Sequence, residues 1–548
     1  MVPHYSIHIS QIDLIDVPDI PTIILPAIAL ENSLDRSQSL KQATAVEESD
    51  AVGSESQIAV LRKLVTSSGI YALSSVVSPL IGLVLAPFLT HHLSLSDYGT
   101  LAIINTAISL AVGITQLGLS SAFFRAYGYD YKTSEDRRDV VATVTTLLCL
   151  ISLPFALLLA LLAPYLAKLL FGNPDYALDL TLAGGVVLLQ NLTLPGMFIR
   201  RVDSRPLSYS LLSLSNLLVT LLATLLLVGM LHIGIAGAII GNGLGYACIV
   251  GWTLPGILWS SGIKIRLDIA KNLLGFGLPL VINFISYWFL QLSDRYLLSH
   301  FTSLAETAKY AVAYTLGSVV SVTVITPFTL AWGALLFPVA KRKDAPLTFQ
   351  LIFRWFSTVL LFSAFALSFA ATIVLDWFFP PSYHSTSRVI PFIAEALVFY
   401  GFYFVFMVGA NIQRKMWLTA VFMSIAAVIN VILNLILLPY YGALGAAAAT
   451  LIAYAVLAMV AYPVNQRLYP VPFEIGRFIG AFFIGVSLYI GCGLLSQNQR
   501  TYIGWGIYLG GLLLYGVLLV WLGRLLPSIR RLIQKQERRK SGNEDTSS

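Results

Sequence analysis

Asp294 and Arg295 stand side by side near the end of an otherwise apolar run, L-L-G-F-G-L-P-L-V-I-N-F-I-S-Y-W-F-L-Q-L-S-D-R-Y-L-L from Leu273, which also holds Asn283 and Gln291. Charged and polar groups within a membrane span are costly and usually face a bundle interior or a watery cavity, so this helix is expected to border a pathway. Glu395, in R-V-I-P-F-I-A-E-A-L, is the most deeply placed carboxylate in the chain. A carboxyl at such a depth is a candidate for proton uptake and release during a transport cycle; the competing reading is a hydrogen-bonded structural acid. Gln190, Asn191, Asn430 and Asn434 are further amides within apolar runs. Together with Asn283 and Gln291 they either line a polar cavity or hydrogen-bond one helix to another. Signatures of catalysis are missing: there is no Gly-rich phosphate loop, H-E-x-x-H or nucleophile elbow. Cys149, Cys248 and Cys492 fall in apolar runs without metal or disulfide spacing, so neither an enzyme nor a cofactor is expected.

The elements that must position these residues are membrane spans. Hydrophobic residues make up 57% of the chain and charged ones 11%, with a mean hydropathy of +0.79, far from the soluble average of about 25% charged. About fourteen apolar runs reach spanning length, beginning near residues 66, 99, 139, 178, 208, 234, 274, 308, 355, 389, 416, 442, 475 and 502. Placing the N-terminus in the cytoplasm assigns 27 of the Lys and Arg from Arg62 onward to inner segments and five to outer ones, the bias expected of a cell-membrane protein with both termini inside. The net charge of +7 follows from that bias and implies no nucleic-acid partner. Outer links are too short for a folded catalytic domain of about 50 residues, which weakens a glycan ligase or polymerase reading.

The chain also repeats itself. K-N-L-L-G-F-G from Lys271 echoes K-L-V-T-S-S-G from Lys63, and Gly442, Gly445 and Tyr454 repeat Gly234, Gly237 and Tyr246 at the same offset of 208 residues. Small residues recur every fourth position at Gly237, Gly241 and Gly245 and at Gly445, Ala449 and Ala453, so a closely packed sixth helix is expected in each copy. The expected divisions are a disordered cytoplasmic tail at 1–60, a first six-span lobe at 61–262, a second at 263–466, two further spans at 467–527 and a basic tail at 528–548. The basic segment from Arg524 to Lys540 is expected to rest on the anionic inner leaflet.

Several segments together resemble the bacterial polysaccharide exporters of the multidrug/oligosaccharidyl-lipid/polysaccharide superfamily, especially the O-antigen flippases. They are L-S-L-S-D-Y-G-T-L-A from Leu93, G-L-S-S-A-F-F-R-A-Y-G-Y-D-Y from Gly118, D-R-Y-L-L from Asp294 with K-Y-A-V-A-Y from Lys309, and the two Gly/Tyr re-entries at Gly234 and Gly442. The resemblance covers about residues 60 to 525. It implies an all-α polytopic membrane protein with two pseudo-symmetric six-helix lobes around a central cavity and two C-terminal helices. The implied activity is translocation of polyprenyl-diphosphate-linked oligosaccharide units to the outer leaflet of the inner membrane by alternating access, for O-antigen, capsule or exopolysaccharide, with polymerase and other envelope glycan proteins as possible partners.

For such a substrate Arg125 and Arg295 are the candidate diphosphate partners, through bidentate charge-assisted bonds. Arg125 could equally be an ordinary inner-boundary cation. Asp294, Asn283, Gln291, Gln190 and Asn191 are the companion candidates for head-group binding, and Glu395 for proton coupling. Tyr400, Phe402, Tyr403 and Phe404 could stack on sugars or pack against lipid. A cation-coupled drug exporter or a lipid II flippase of the same superfamily is the alternative. The topology predicts that, with the native cysteines replaced, Asn173→Cys is labelled by an impermeant maleimide in intact cells, whereas Lys343→Cys is labelled only after lysis. The reverse pattern would invert the topology.

Overall fold

The computed structural model describes residues 81–203, 205–497 and 501–523; these are helices joined by short turns, with no strand among the described residues. Local chemistry sets the helix starts. Ser94, Thr133 and Ser303 each accept a hydrogen bond at 3.1 Å from the backbone N–H of an acidic residue three positions on: Asp97, Asp136 and Glu306. Each acid also favours the positive end of its helix dipole. They open α2 (Leu95–Thr115), α4 (Ser134–Phe171) and α9 (Leu304–Gly317). At the far end of α4, Gly172 takes the left-handed conformation that closes the last turn.

Before α2 lies α1 (Ile81–His92), and after it the short α3 (Leu119–Arg125). The first lobe continues with α5 (Ala177–Val202), α6 (Pro206–Thr224) and α7 (Ile235–Ser261). The second begins with α8 (Leu267–Phe301) and, beyond α9, runs through α10 (Thr326–Ala340), α11 (Ala345–Phe378), α12 (Ile390–Phe406), α13 (Val408–Ile412) and α14 (Trp417–Leu468). The last two helices are α15 (Ile475–Ser496) and α16 (Thr501–Gly523), which pack together and against α11.

Twelve of the described helices are long and apolar enough to cross a membrane. One of them, α14, is broken at Gly442 and supplies two crossings. Most of the run expected near residue 66 lies outside the described residues, as do the expected N-terminal tail and the basic segment from Arg524; α1 is that run's described end.

The internal repeat is visible in the backbone. Gly234 has φ 72° and ψ −138°, and Gly442, 208 positions later, has φ 54° and ψ −133°. Both make the same sharp re-entry in a region that L-residues avoid. After each re-entry the chain returns against the helix just completed. A Cβ on Gly241 would fall 2.3 Å from Thr224 Oγ1, one on Gly245 2.1 Å from Thr220 Oγ1, and one on Gly445 2.6 Å from the Leu437 carbonyl. The small-residue stripes are therefore the contact faces of these hairpins, and Ala449 and Ala453 are fully buried at the matching positions. We propose from this repeat the lobe division at 61–262 and 263–466, with 467–527 appended.

The lobes meet along α8 and α9: α8 packs on α2 and α3 from the first lobe and on α14 from the second, and α9 packs on α2. Backbones touch near both ends. Gly99 lies so close to Leu304 that a Cβ would sit 2.0 Å from its carbonyl oxygen, and a Cβ on Gly118 would sit 2.2 Å from that of Gly277. Between these two contacts the Trp288 indole donates to the Thr106 carbonyl at 3.3 Å.

Gly234→Ala and Gly442→Ala should each destabilise the protein by about 1–3 kcal/mol through backbone strain. Gly251→Ala, in α7 with open space around it, should be neutral or mildly stabilising. Thermal unfolding in detergent reads all three; equal behaviour of Gly234→Ala and Gly251→Ala would refute the strained re-entry.

Candidate functional site

Two connected compartments lie between the first lobe and α8. The larger, about 710 Å³, is bounded by α2, α3, α5, α7 and α8; the smaller, about 420 Å³, by α1, α2, α6, α7, α8 and α9. Asn105, Ser109, Asn242 and Tyr246 line both. Their placement follows helical spacing. Asn105, Ser109 and Gln116 form one stripe down α2, Asn242 and Tyr246 one on α7, Asn216, Thr220 and Thr224 one on α6, and Asn283 and Tyr287 one on α8. These stripes were readable in the sequence as polar residues at spacings of four and seven within apolar runs. Most of them carry no charge and so stand out less in the sequence than Arg125 or Arg295.

Among the described residues Arg295 is the one charged side chain lining either compartment, and it belongs to the smaller. Its guanidinium lies 4.6 Å from the centre of the Tyr314 ring, a cation–π contact, and makes no ion pair with a described residue. Asp294 faces away from it. Adjacent helical residues point about 100° apart, and the Asp294 side chain is buried at 1% exposure against the second lobe. Its Oδ2 accepts from the Tyr310 hydroxyl and, at 3.3 Å, from Thr450 Oγ1; its Oδ1 accepts from the Arg295 backbone N–H at 3.1 Å. Asn430 donates to Thr450 Oγ1 at 3.4 Å, and Asn434 to Asn430 Oδ1 at 3.1 Å. This buried, oxygen-rich knot ties α8, α9 and α14 together and has the donor chemistry to hold a proton or a small hard cation. Among the described residues no group of three or more His, Cys, Asp or Glu is arranged for a metal.

The expected amides separate into two kinds. Gln190 and Asn283 line the larger compartment and make no side-chain hydrogen bond to a described residue; Asn283 Oδ1 is buried without a partner. Asn191, next to Gln190, is fully buried and donates to both Thr115 Oγ1 and Ser152 Oγ at 2.7 Å. Gln291 accepts from the Tyr314 hydroxyl, away from both compartments. Asn191 and Gln291 thus join helices, Asn430 joins the two arms of α14 across the Gly442 break, and Asn434 bonds back to Asn430 within one arm.

Arg125 also lies outside both compartments. Its side chain is 54% exposed, pairs with Asp130 at 3.3 Å and stacks over Phe276 at 5.0 Å. It belongs with the charged cluster at this end of the bundle, where Arg266 bonds Asp136 and Asp268 and Lys264 bonds Asp139. Glu395 is 5% exposed on α12, away from the cavity, and neither carboxyl oxygen has a described partner. Tyr400, Phe402 and Tyr403 are buried in the second lobe's core, where Phe402 meets Phe478 and Tyr400 meets Tyr454. They line neither compartment, because most of α12 is packed among α9, α11 and α14.

A family model described as polysaccharide biosynthesis protein matches residues 64–342. The structure is similar to that of the lipid II flippase MurJ in an inward closed conformation, with a TM-score of 0.66 and 16% identity over 86% of this chain and all of that one. It is similar also to a multidrug resistance MATE family transporter in an inward-facing conformation, with a TM-score of 0.56 and 14% identity over 71% of this chain and 94% of that one. At these identities the likeness is one of fold. An uncharacterized membrane protein of Methanocaldococcus jannaschii is 23% identical over 34% of this chain; the match spans 38% of that relative's length.

Neighbouring amides should respond differently to substitution. Asn191→Leu loses two buried hydrogen bonds and should lower stability by about 1–3 kcal/mol, whereas Gln190→Leu should leave thermal unfolding nearly unchanged. Equal losses would mean that Gln190 is also a structural bond.

Proposed function

Since the chain belongs to the polysaccharide biosynthesis protein family, we propose that it is a flippase for polyprenyl-diphosphate-linked oligosaccharide units in a bacterial cell membrane, with the basic loops and both termini on the cytoplasmic side. The observation that carries this reading is the composition of the cavity, whose described lining residues include one unpaired arginine, many uncharged polar groups and no carboxylate. A diphosphate needs a cation, a glycan needs hydrogen-bond donors and acceptors, and the polyprenyl tail can stay in lipid. Arg295 supplies the first, Gln190 and Asn283 are among those that supply the second, and Asp294 holds the helix that carries all but Gln190. Alternating access then proceeds by rocking one lobe against the other, breaking the Gly99–Leu304 and Gly118–Gly277 contacts in turn.

A small cationic drug would find no counter-ion among the cavity's described residues, which ranks the drug-exporter alternative lower. Lipid II shares the polyprenyl-diphosphate chemistry, and the family match favours polysaccharide units over it. Arg125 is assigned to the inner boundary rather than to substrate. Glu395 is the proton-coupling candidate.

The test uses proteoliposomes holding a fluorescent polyprenyl-diphosphate oligosaccharide and an impermeant quencher. Wild type should speed head-group exchange between leaflets over protein-free vesicles, and Arg295→Ala should reduce that gain by about tenfold or more, the size of a lost charge-assisted hydrogen bond or two. A pH gradient that drives wild type but not Glu395→Gln would assign coupling to that carboxyl. Exchange no faster than in protein-free vesicles, together with export of a cationic dye, would overturn the flippase reading.

A further inference from the structure

We propose that the larger compartment is a glycan-recognition site for uncharged sugars and that its amides set which glycans pass. This rests on the reading of Arg295 as the diphosphate partner and adds a division of labour within the cavity: the anionic group is held beside α9 in the smaller compartment, the sugars beside α3 and α5 in the larger.

The physical basis is which amides the protein consumes itself. Asn191, Asn430, Asn434 and Asn465 lie off the cavity, and each is hydrogen-bonded; Asn465, for example, accepts from the Ala410 N–H at 2.7 Å and donates to the Ala461 carbonyl at 2.8 Å. Asn105, Gln116, Gln190, Asn242 and Asn283 lie on the larger compartment, and none makes a side-chain hydrogen bond to a described residue. Within a membrane, amides left free of protein partners are tolerated only where water or a ligand satisfies them. Five such groups converging on one space of about 710 Å³ make a polar recess that water can fill between substrates.

Amide side chains both donate and accept, which matches sugar hydroxyl and acetamido groups that do the same. Tyr246 and Tyr287, also on this compartment, add ring surface suited to the apolar face of a pyranose. Among the described residues, no Lys, Arg, Asp or Glu lines it. A sugar carboxylate would therefore lose hydration without gaining a counter-ion, so uronic acids are disfavoured there.

The experiment compares binding of three probes to the purified full chain in nanodiscs: bare polyprenyl diphosphate, the same carrier with a neutral N-acetylhexosamine disaccharide, and the carrier with a disaccharide containing a uronic acid. The neutral glycan should bind about tenfold or more tightly than the bare carrier, and the uronic acid should lose most of that gain. Gln116→Leu, Gln190→Leu and Asn283→Leu, at residues that line the larger compartment alone, should each cut the neutral-glycan gain by about three- to tenfold while leaving bare-carrier binding unchanged. Asn283→Gln, which keeps an amide, should retain more of it than Asn283→Leu. Arg295→Ala should weaken all three probes alike. A glycan-to-carrier ratio unmoved by the amide substitutions, or a uronic acid bound as well as the neutral sugar, overturns the compartment proposal. Bare-carrier binding indifferent to Arg295→Ala overturns instead the diphosphate reading on which it rests.

Discussion

Hydrocarbon offers no hydrogen bonds, so every polar group placed among the spans must be satisfied by the protein or by water admitted into it. The rest of this structure follows from how that demand is met. Thr115, Thr145, Thr253 and Thr450 bond back to carbonyls four residues earlier on their own helices. Asn191 ties α5 to α2 and α4, and Asp294 gathers a hydroxyl each from α9 and α14. Along the stripes of α2, α5, α7 and α8 the amides are left without partners among the described residues, and there the helices stand apart and a cavity opens.

The two lobes share a backbone plan and use it differently. Asn242 and Tyr246 of the first lobe face the cavity, while their counterparts 208 positions later, Thr450 and Tyr454, are buried around Asp294. One copy offers a polar surface to a ligand; the other has closed its equivalent face into packing. Helix α8 carries both consequences, with Arg295 and Asn283 turned to the open side and Asp294 and Gln291 to the packed side. Packed along α14 on one side and touching the first lobe at Thr106, Gly113 and Gly118 on the other, α8 can move as a rigid part of the second lobe. The glycine contacts at Gly99 and Gly118 suit such separation, since they place backbone on backbone without interlocking side chains.

Much of this was legible in the sequence, because membrane spans announce themselves by length and hydropathy and the loop charges alternate. The repeat was legible too, since a re-entry with positive φ needs glycine at both Gly234 and Gly442. The sorting of polar residues was less so. Asp294 and Arg295, or Gln190 and Asn191, are neighbours in sequence and part company only through the 100° step between them, and which side faces the opening depends on how the lobes meet. Tyr400, Phe402 and Tyr403 look like a binding platform in sequence and are core residues in the fold, because nothing local reveals that α12 is surrounded. Arg125 reads as a cavity cation or a boundary charge equally well until its pairing with Asp130 is seen.

The central claim is that the opening between the first lobe and α8 is where the lipid-linked head group travels. It is tested most directly by Asn242→Cys, in a background without the native cysteines, exposed to a small impermeant thiol reagent in proteoliposomes. The cysteine should be modified, and a polyprenyl-diphosphate oligosaccharide should slow its modification while polyprenol alone does not. A cysteine that never reacts, or one that reacts at the same rate with the lipid-linked oligosaccharide present, would contradict it.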